Sequence, residues 1–207
     1  MQRSDLPGIL AMAAIVLASN ILVQFLFGQW LTWGAFTYPF AFLVTDLMNR
    51  IHGPSAARRV VLAGFVVGVL ASIVGTQIEG ANGPLVTWRI AIGSGVAFLV
   101  AQMLDVALFD RLRAGSWWRA PLVSSFIGSL VDTALFFSIA FSAALAFLEP
   151  GNDTGWAHQA LPLLGLGPVV PLWASLATAD WLVKLSLAIV ALAPFRLITD
   201  RIAPHRG

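Results

Sequence analysis

The chain has 207 residues, of which 58% are hydrophobic and 11% are charged, with a formal net charge of +2. A water-soluble domain carries about 25% charged residues because its surface must be hydrated, so this composition excludes a soluble globule and indicates a protein embedded in lipid. The absence of cysteine excludes disulfides, iron–sulfur clusters and thiol catalysis.

The first 51 residues contain two predicted membrane spans. From Leu6 to Thr45 no residue is charged, and this run is long enough for two helices of about 20 residues. Gly28-Gln29 is the natural turn between them, which gives spans at 9–27 and 33–51. The first run is longer than a signal-peptide core and lacks a cleavage motif, so we expect it to be retained as a helix.

Four further apolar segments follow, at 60–79, 89–110, 120–141 and 171–195. The Gly- and Pro-rich segment 149–170 is the longest predicted loop, with room for a short interfacial piece at 156–164. The sequence therefore predicts one transmembrane domain over residues 1–207, an all-α bundle of about six spans.

The distribution of arginine predicts the orientation of the bundle, because cytoplasmic loops are enriched in basic residues. With the N-terminus inside, the only outer arginine is Arg89. The inner segments hold Arg3, Arg50, Arg58, Arg59, Arg111, Arg113, Arg119, Arg196, Arg201 and Arg206. We therefore expect both termini to be cytoplasmic.

Five charged residues fall inside predicted spans and away from the span ends, at a depth where an ionised group costs about 2.5–3.5 kcal/mol or more. Asp132 and Lys184 lie near the bilayer midplane, and Asp180 precedes Lys184 by one helical turn. We expect these three to form a buried charge cluster between the fifth and sixth spans. Asp46 and Asp105 lie nearer the inner ends, within reach of basic residues there. Purely structural ion pairing is the alternative for each.

Neutral polar residues and one proline also interrupt the apolar spans. Asn20 and Gln24 are four residues apart, Gln102 lies three residues before Asp105, and Ser125, Ser129 and Asp132 form one stripe. Such stripes either bond one helix to another or line a cavity. The pair Tyr38-Pro39 predicts either a broken helix that faces a cavity or a simple proline kink.

Enzymatic function and cofactor binding have little support. The three histidines, at 52, 158 and 205, lie in predicted loops or the tail, and no phosphate-binding loop or cluster of metal ligands is present. We therefore expect neither catalytic residues, nor a metal, nor a cofactor.

Four stretches together resemble the bacterial queuosine-precursor transporter family, also called the vitamin-uptake-transporter-like family. They are residues 32–60 (TWGAFTYPFAFLVTDLMNRIHGPSAARRV), 89–113 (RIAIGSGVAFLVAQMLDVALFDRLR), 117–141 (WWRAPLVSSFIGSLVDTALFFSIAF) and 179–198 (ADWLVKLSLAIVALAPFRLI). The resemblance covers about four-fifths of the chain. The motifs T-D-x-x-x-R, Q-x-L-D-V-x-x-F-x-R-L-R and D-aromatic-x-x-K are specific in combination.

The resemblance implies import of 7-cyano-7-deazaguanine, 7-aminomethyl-7-deazaguanine or both across the bacterial inner membrane, for salvage of the tRNA nucleoside queuosine. A buried carboxylate can accept two adjacent N–H groups of a guanine-like edge. The expected substrate-binding residues are Asp46, Asp132, Asn20, Gln24, Gln102, Tyr38 and Trp181. The expected charge network or coupling residues are Asp105, Asp180, Lys184 and Arg50.

Two other functions remain open at this point. One is a substrate-capture subunit that docks on a separate ATP-driven module, and the other is a membrane scaffold that transports nothing. The sequence leaves the driving force open between proton coupling, facilitated diffusion and ATP, and the oligomeric state open between a monomer and a homodimer. We expect the substrate and membrane lipid as binding partners, and we do not expect direct binding of nucleic acid.

Overall fold

The computed structural model describes residues 3–80 and 83–202, so His205 and Arg206 lie outside the described residues. The described residues contain seven α-helices, and the longest connection, residues 142–171, lies between the last two. The helices are α1 (Leu6–Leu22), α2 (Gly34–Thr37), α3 (Phe40–His52), α4 (Pro54–Thr76), α5 (Trp88–Leu112), α6 (Arg119–Phe141) and α7 (Leu172–Ile202). Five helical segments are long and apolar enough to cross a membrane: Arg3–Leu22, Pro54–Thr76, Trp88–Leu112, Arg119–Phe141 and Leu172–Ile202. The predicted all-α membrane bundle is confirmed.

The second predicted span is divided into α2 and α3 at Tyr38 and Pro39. Both residues keep right-handed helical dihedral angles, with φ −57° at Tyr38 and φ −59° at Pro39. The Tyr38 N–H donates to the Gly34 carbonyl at 3.1 Å, and the Ala41 N–H donates to the Tyr38 carbonyl at 2.9 Å. The backbone is therefore kinked and locally tightened rather than unwound.

Short hairpins close three of the connections. Strands β1 (Leu26–Phe27) and β2 (Leu31–Thr32) pair antiparallel around Gly28, whose φ of +68° favours glycine. The other hairpins pair β3 (Glu79–Gly80) with β4 (Gly83–Pro84), and β5 (Ala160–Pro162) with β6 (Val169–Pro171).

Three predicted span ends differ from the helices by five residues or more. The first span was expected to reach residue 27, but α1 ends at Leu22 because the chain turns into the β1–β2 hairpin. The third span was expected to begin at residue 60, but α4 begins at Pro54. The last span was expected to end at residue 195, but α7 continues through Pro194 to Ile202. The apolar character of these segments reports contact with lipid and does not by itself fix where a helix begins or ends.

The interior is built on close contacts between helices. A cluster around Met12, Val16, Val61 and Phe98 joins α1, α4 and α5, and Gly64 allows this approach because a Cβ there would meet the Met12 side chain at 2.5 Å. Many large apolar side chains remain exposed on the outside of the bundle, including Leu10, Leu70, Leu130, Ile189 and Val190. An apolar outer surface with a packed interior is the arrangement expected in lipid.

Charged residues fix the helix ends. The buried Asp5 carboxylate accepts two hydrogen bonds from Arg59, at 2.8 and 3.2 Å, which tie the start of α1 to α4. Arg89 is fully buried and donates to the carbonyls of Ile139 (3.1 Å) and Ser142 (2.7 Å) near the end of α6. Glu149 accepts from the first backbone N–H groups of α5, as expected for a carboxylate at a helix N-terminus.

Candidate functional site

A buried ion cluster joins α6 and α7. The Lys184 ammonium donates to Asp132 Oδ2 at 2.7 Å and lies 2.5 Å from Asp180 Oδ2. It also donates to Thr133 Oγ1 at 3.1 Å, and Thr133 in turn donates to Asp180 at 2.9 Å. The structure thus brings together the three charged residues that the sequence grouped, and it adds Thr133, which follows Asp132 directly in the chain.

Tyr38 connects the kink between α2 and α3 to this cluster. Its hydroxyl donates to Asp132 Oδ1 at 3.1 Å, and Lys184 Nζ lies 5.3 Å from the centre of its ring. Both Asp132 oxygens therefore have partners, one in Tyr38 and one in Lys184. The kink matters to the site because it sets the position of Tyr38 against α6 and α7.

A second polar group lies where α3 meets α6. Asp46 is 2% exposed, and its two oxygens accept hydrogen bonds from Ser124 and Ser125, each at 3.3 Å. Both bonds are long for O–H···O contacts. Among the described residues no arginine pairs with Asp46, since its hydrogen bonds come from the two serines and Arg50 donates to the Arg113 carbonyl at 2.8 Å.

Asp105 lies on α5 beside the same group. It is fully buried, and among the described residues neither of its oxygens has a hydrogen-bond partner. Two contacts between α3 and α5 flank it. Thr45 donates to Gln102 Oε1 at 2.6 Å, and Asn49 donates to the Val106 carbonyl at 3.0 Å.

A small cavity links Asp46 to the ion cluster. Its walls come from α3, α6 and α7 and include Asp46, Ser125, Ser129 and Lys184. It offers about 10 Å³ to water, which is roughly the space of one water molecule. Ser125 and Ser129, two members of the predicted polar stripe, thus line the passage between the two polar centres.

A second crevice lies on the opposite side of Tyr38. Asn20 borders it together with Tyr38, Ser72, Ser94 and Phe98, and it offers about 40 Å³. Asn20 donates to the Val16 carbonyl at 2.9 Å, within its own helix. Tyr38 therefore borders both the crevice at Asn20 and the ion cluster at Asp132.

Three predicted site residues make no hydrogen bond or ion pair to these centres among the described residues. Gln24 is exposed beyond the end of α1, a consequence of the helix ending early. Trp181 packs edge-on against Phe126 with 5.5 Å between ring centres. Arg50 contacts the Arg113 carbonyl rather than a carboxylate.

Sequence reasoning did not assign Thr45, Ser124 or Thr133 to the site. Thr45 and Thr133 each adjoin an intramembrane aspartate, so a search for hydroxyls beside those aspartates would have found these two. Ser124 has no aspartate beside it in the sequence and precedes Ser125 of the predicted polar stripe.

The arrangement suits recognition of a polar ligand rather than chemical transformation. Carboxylates and an ammonium are available as fixed acceptors and donors within an apolar bundle, where hydrogen bonds to charged groups are strong. Among the described residues, no group of three or more His, Cys, Asp or Glu side chains is arranged to hold a metal ion.

The chain is similar to bacterial membrane transporters. Residues 32–198 match the family described as "putative vitamin uptake transporter". The "Queuosine precursor transporter" of Escherichia coli (strain K12) is 40% identical over 141 residues, which are 61% of this chain and 64% of that protein. A "Probable queuosine precursor transporter" of Haemophilus influenzae is 36% identical over 176 residues, 79% of this chain and 66% of that protein. Its namesake in Bacillus subtilis (strain 168) is 26% identical over 200 residues, 87% of this chain and 76% of that protein.

The chain thus spans slightly less than two thirds of the first two relatives. No solved structure matches it. Several membrane-spanning helices and transporter relatives from bacteria indicate the cytoplasmic membrane as its location. Because the family match covers most of the chain and includes both polar centres, this chain belongs to the vitamin uptake transporter family, in which its relatives are named as transporters of queuosine precursors.

Proposed function

We propose that this chain imports queuosine precursors across the bacterial cytoplasmic membrane, with 7-cyano-7-deazaguanine and 7-aminomethyl-7-deazaguanine as its substrates. The names of three relatives support this class of substrate. The imported base would then serve the salvage of queuosine in tRNA. Both termini are cytoplasmic in this proposal, as the distribution of arginine predicts.

The observation that carries the proposal is the cavity between α3, α6 and α7 that both Asp46 and Lys184 line. A deazaguanine presents a ring N–H and an amino group side by side, and a carboxylate can accept both in a bidentate contact. Asp46 suits this role because its partners are two serine hydroxyls at 3.3 Å. A carboxylate has about four lone-pair sites, so acceptor capacity remains.

Asp132 has a different role in this proposal. Its oxygens already accept from Tyr38 and Lys184, so it holds these two groups in place beside the substrate. The Tyr38 ring then serves as an aromatic wall against the flat base. Gln102 supports α3 through Thr45 instead of reading the substrate directly.

The helices must separate for a base to bind. The cavity offers about 10 Å³ to water, whereas ligand pockets commonly measure about 300–1,000 Å³. Ala188 and Ala191 form its α7 wall opposite Phe42 and Asp46 on α3. We propose that α3 and α7 move apart at this wall, with the Pro39 kink as the point where the α2–α3 segment bends.

Asp46→Asn tests the proposal in cells that lack both deazaguanine synthesis and their own transporter. The intact chain should restore queuosine in tRNA when either base is supplied. Asp46→Asn should abolish this restoration, because an amide replaces one acceptor oxygen by a donor, while the amount of protein in the membrane stays unchanged. Queuosine is measured by mass spectrometry of digested tRNA.

Asp110→Asn is the matched control, because Asp110 pairs with Arg113 at the partly exposed end of α5. This variant should transport normally. Full activity of Asp46→Asn would remove Asp46 from the site. No restoration by the intact chain would contradict the function itself. Uptake by the purified protein alone in liposomes would further separate an autonomous carrier from a capture subunit that needs an ATP-driven module.

A further inference from the structure

Asp46 on α3 and Asp105 on α5 lie side by side in the interior of the bundle, because hydrogen bonds of nearby residues, from Thr45 to Gln102 and from Asn49 to Val106, bracket them along the two helices. Asp46 is 2% exposed and Asp105 is fully buried. The two bracketing contacts fix the register of the pair. Gly128 on α6 completes the arrangement, because a Cβ there would lie 3.4 Å from the Asp105 Cβ.

Among the described residues, no ion pair joins a basic side chain to either carboxyl group. Lys184 lines the cavity beside Asp46, but Asp132 and Asp180 hold its ammonium. No residue of α1 is charged. The remaining charged groups on the elements around α3 have other contacts or lie near helix ends: Arg58 and Arg59 on α4, Arg89, Asp110, Arg111 and Arg113 on α5, Arg119 on α6, and Arg196, Asp200 and Arg201 on α7.

Unpartnered polar atoms surround the same pair. Asn49 Oδ1, Gln102 Nε2 and both Asp105 oxygens have no hydrogen-bond partner among the described residues. Asn49 and Gln102 are fully buried, and each lies three residues from a member of the pair, on the same helix face. Buried polar groups are normally satisfied, so this concentration of unsatisfied atoms marks a place that accepts a ligand able to form hydrogen bonds.

Two carboxylates side by side in a dry interior repel each other strongly unless a positive charge lies between them. A proton meets this requirement in the smallest space, because it neutralises one of the two carboxylates. The proton also occupies one of the Asp105 oxygens, neither of which has another hydrogen-bond partner among the described residues.

We propose that Asp46 and Asp105 share one proton, and that this pair couples transport to the proton gradient. The inference rests on the proposed function. When the base binds, the proton resides on Asp105, so Asp46 stays a carboxylate that accepts the N–H groups of the base. One base and one proton then leave together on the cytoplasmic side. Lys184, across the same cavity, is the cation that can approach Asp46 after the proton has left.

Uptake by the purified protein in liposomes tests the coupling, with labelled 7-cyano-7-deazaguanine as the probe. An inward proton gradient of one pH unit should support up to about tenfold accumulation if one proton accompanies each base. A protonophore should abolish accumulation while leaving exchange of internal for external base intact. A sodium gradient at equal pH should drive no accumulation.

Asp105→Asn isolates the role of the pair, because an amide resembles a permanently protonated carboxyl group. It should retain exchange of base and lose accumulation driven by the proton gradient, whereas Asp105→Glu should keep both. Asp110→Asn, five residues along α5, is the control and should behave as the intact chain.

Three results would overturn the inference: accumulation by Asp105→Asn under a proton gradient, uptake by the intact chain that ignores the gradient, and accumulation that follows sodium. If Asp105→Asn fails to fold, the dependence of uptake by the intact chain on the proton gradient still tests whether transport is coupled to protons. Absence of both uptake and exchange by the intact chain would contradict the proposed function itself. Exchange without a response to the proton gradient would contradict only the proton coupling.

Discussion

At the scale of single residues, Lys184 shows how a full charge is stabilised inside the bundle. An isolated lysine near the centre of a bilayer is costly, but here the ammonium has Asp132, Asp180 and Thr133 as partners. Its three N–H donors are thus matched by three oxygens. The same contacts bind the middle of α6 to the middle of α7.

Lys184→Met should destabilise the protein strongly, because Asp132 and Asp180 would face each other without a cation. Loss of one partner from a buried ion pair costs about 3–5 kcal/mol. Denaturant titration of the purified protein in detergent measures the change in the free energy of unfolding.

The triple variant Lys184→Met, Asp132→Asn, Asp180→Asn is the informative comparison. It removes every charge of the cluster, so most of the lost stability should return while transport stays absent. A single Lys184→Met variant as stable as the parent would show that the cluster contributes nothing to folding.

The sequence was a good guide to this cluster and a poor one to the Asp46–Asp105 pair. Depth in the span and the i, i+4 spacing were enough to group Lys184 with Asp132 and Asp180. For Asp46 and Asp105, proximity to the inner ends suggested arginine partners, whereas helix rotation places them side by side and turns Asp46 toward Ser124. Helix rotation depends on packing with all neighbours, which one sequence does not reveal.

At the scale of elements, α6 organises the site. Ser124, Gly128 and Asp132 recur every four residues on one face. Ser124 donates to Asp46, Asp132 accepts from Lys184, and a Cβ at Gly128 would lie 3.4 Å from the Asp105 Cβ. The sequence indicated the neighbouring stripe of Ser125, Ser129 and Asp132, but not Ser124. Gly128 was not recognised, because its importance lies in a close approach of helices and not in chemistry.

Gly128→Ala should therefore lower both stability and transport. The added Cβ would lie 2.8 Å from Phe42 Cε1 on α3 and 3.4 Å from the Ala101 carbonyl and the Asp105 Cβ on α5. Overpacking of this kind costs about 1–3 kcal/mol, measured by thermal unfolding in detergent.

Gly95→Ala is the matched control on α5, because the nearest atoms to its new Cβ would be 3.6 and 3.9 Å away. It should be neutral or slightly stabilising, since glycine weakens a helix interior. Equal effects of the two substitutions would refute the claim that Gly128 sets the spacing of α3, α5 and α6.

Element boundaries were harder to predict than the existence of the elements. Residues 23–33 carry no charge and extend the apolar run of α1, yet they leave the helix and form the β1–β2 hairpin. Hydrophobicity alone measures affinity for lipid, and a short apolar run does not distinguish helix from hairpin. Gln24 was assigned to the site for that reason.

At the scale of the whole molecule, polarity is inverted relative to a soluble protein. Large apolar residues cover the outside, while Asp46, Asp105, Asp132 and Lys184 lie inside. The two polar centres are not independent, because one cavity borders both Asp46 and Lys184. Movement of α3 relative to α7 would therefore alter both centres at once, which is the property that a carrier needs to couple binding with transport.

The chain contains no cysteine, so a single introduced thiol can report whether the cavity opens and binds substrate. Ser129 lines this cavity and is 1% exposed, and Ser129→Cys is a small change. The thiol should react with a water-soluble maleimide when α3 and α7 separate. Gln77→Cys, on the exposed turn after α4, should react at all times and is the control.

The most direct measurement is the rate of maleimide labelling of Ser129→Cys with and without 7-cyano-7-deazaguanine. Bound base should slow labelling of Ser129→Cys several-fold and leave labelling of Gln77→Cys unchanged. An unchanged rate at Ser129→Cys, in a variant that still transports the base, would show that the substrate passes elsewhere and would contradict the assignment of this cavity.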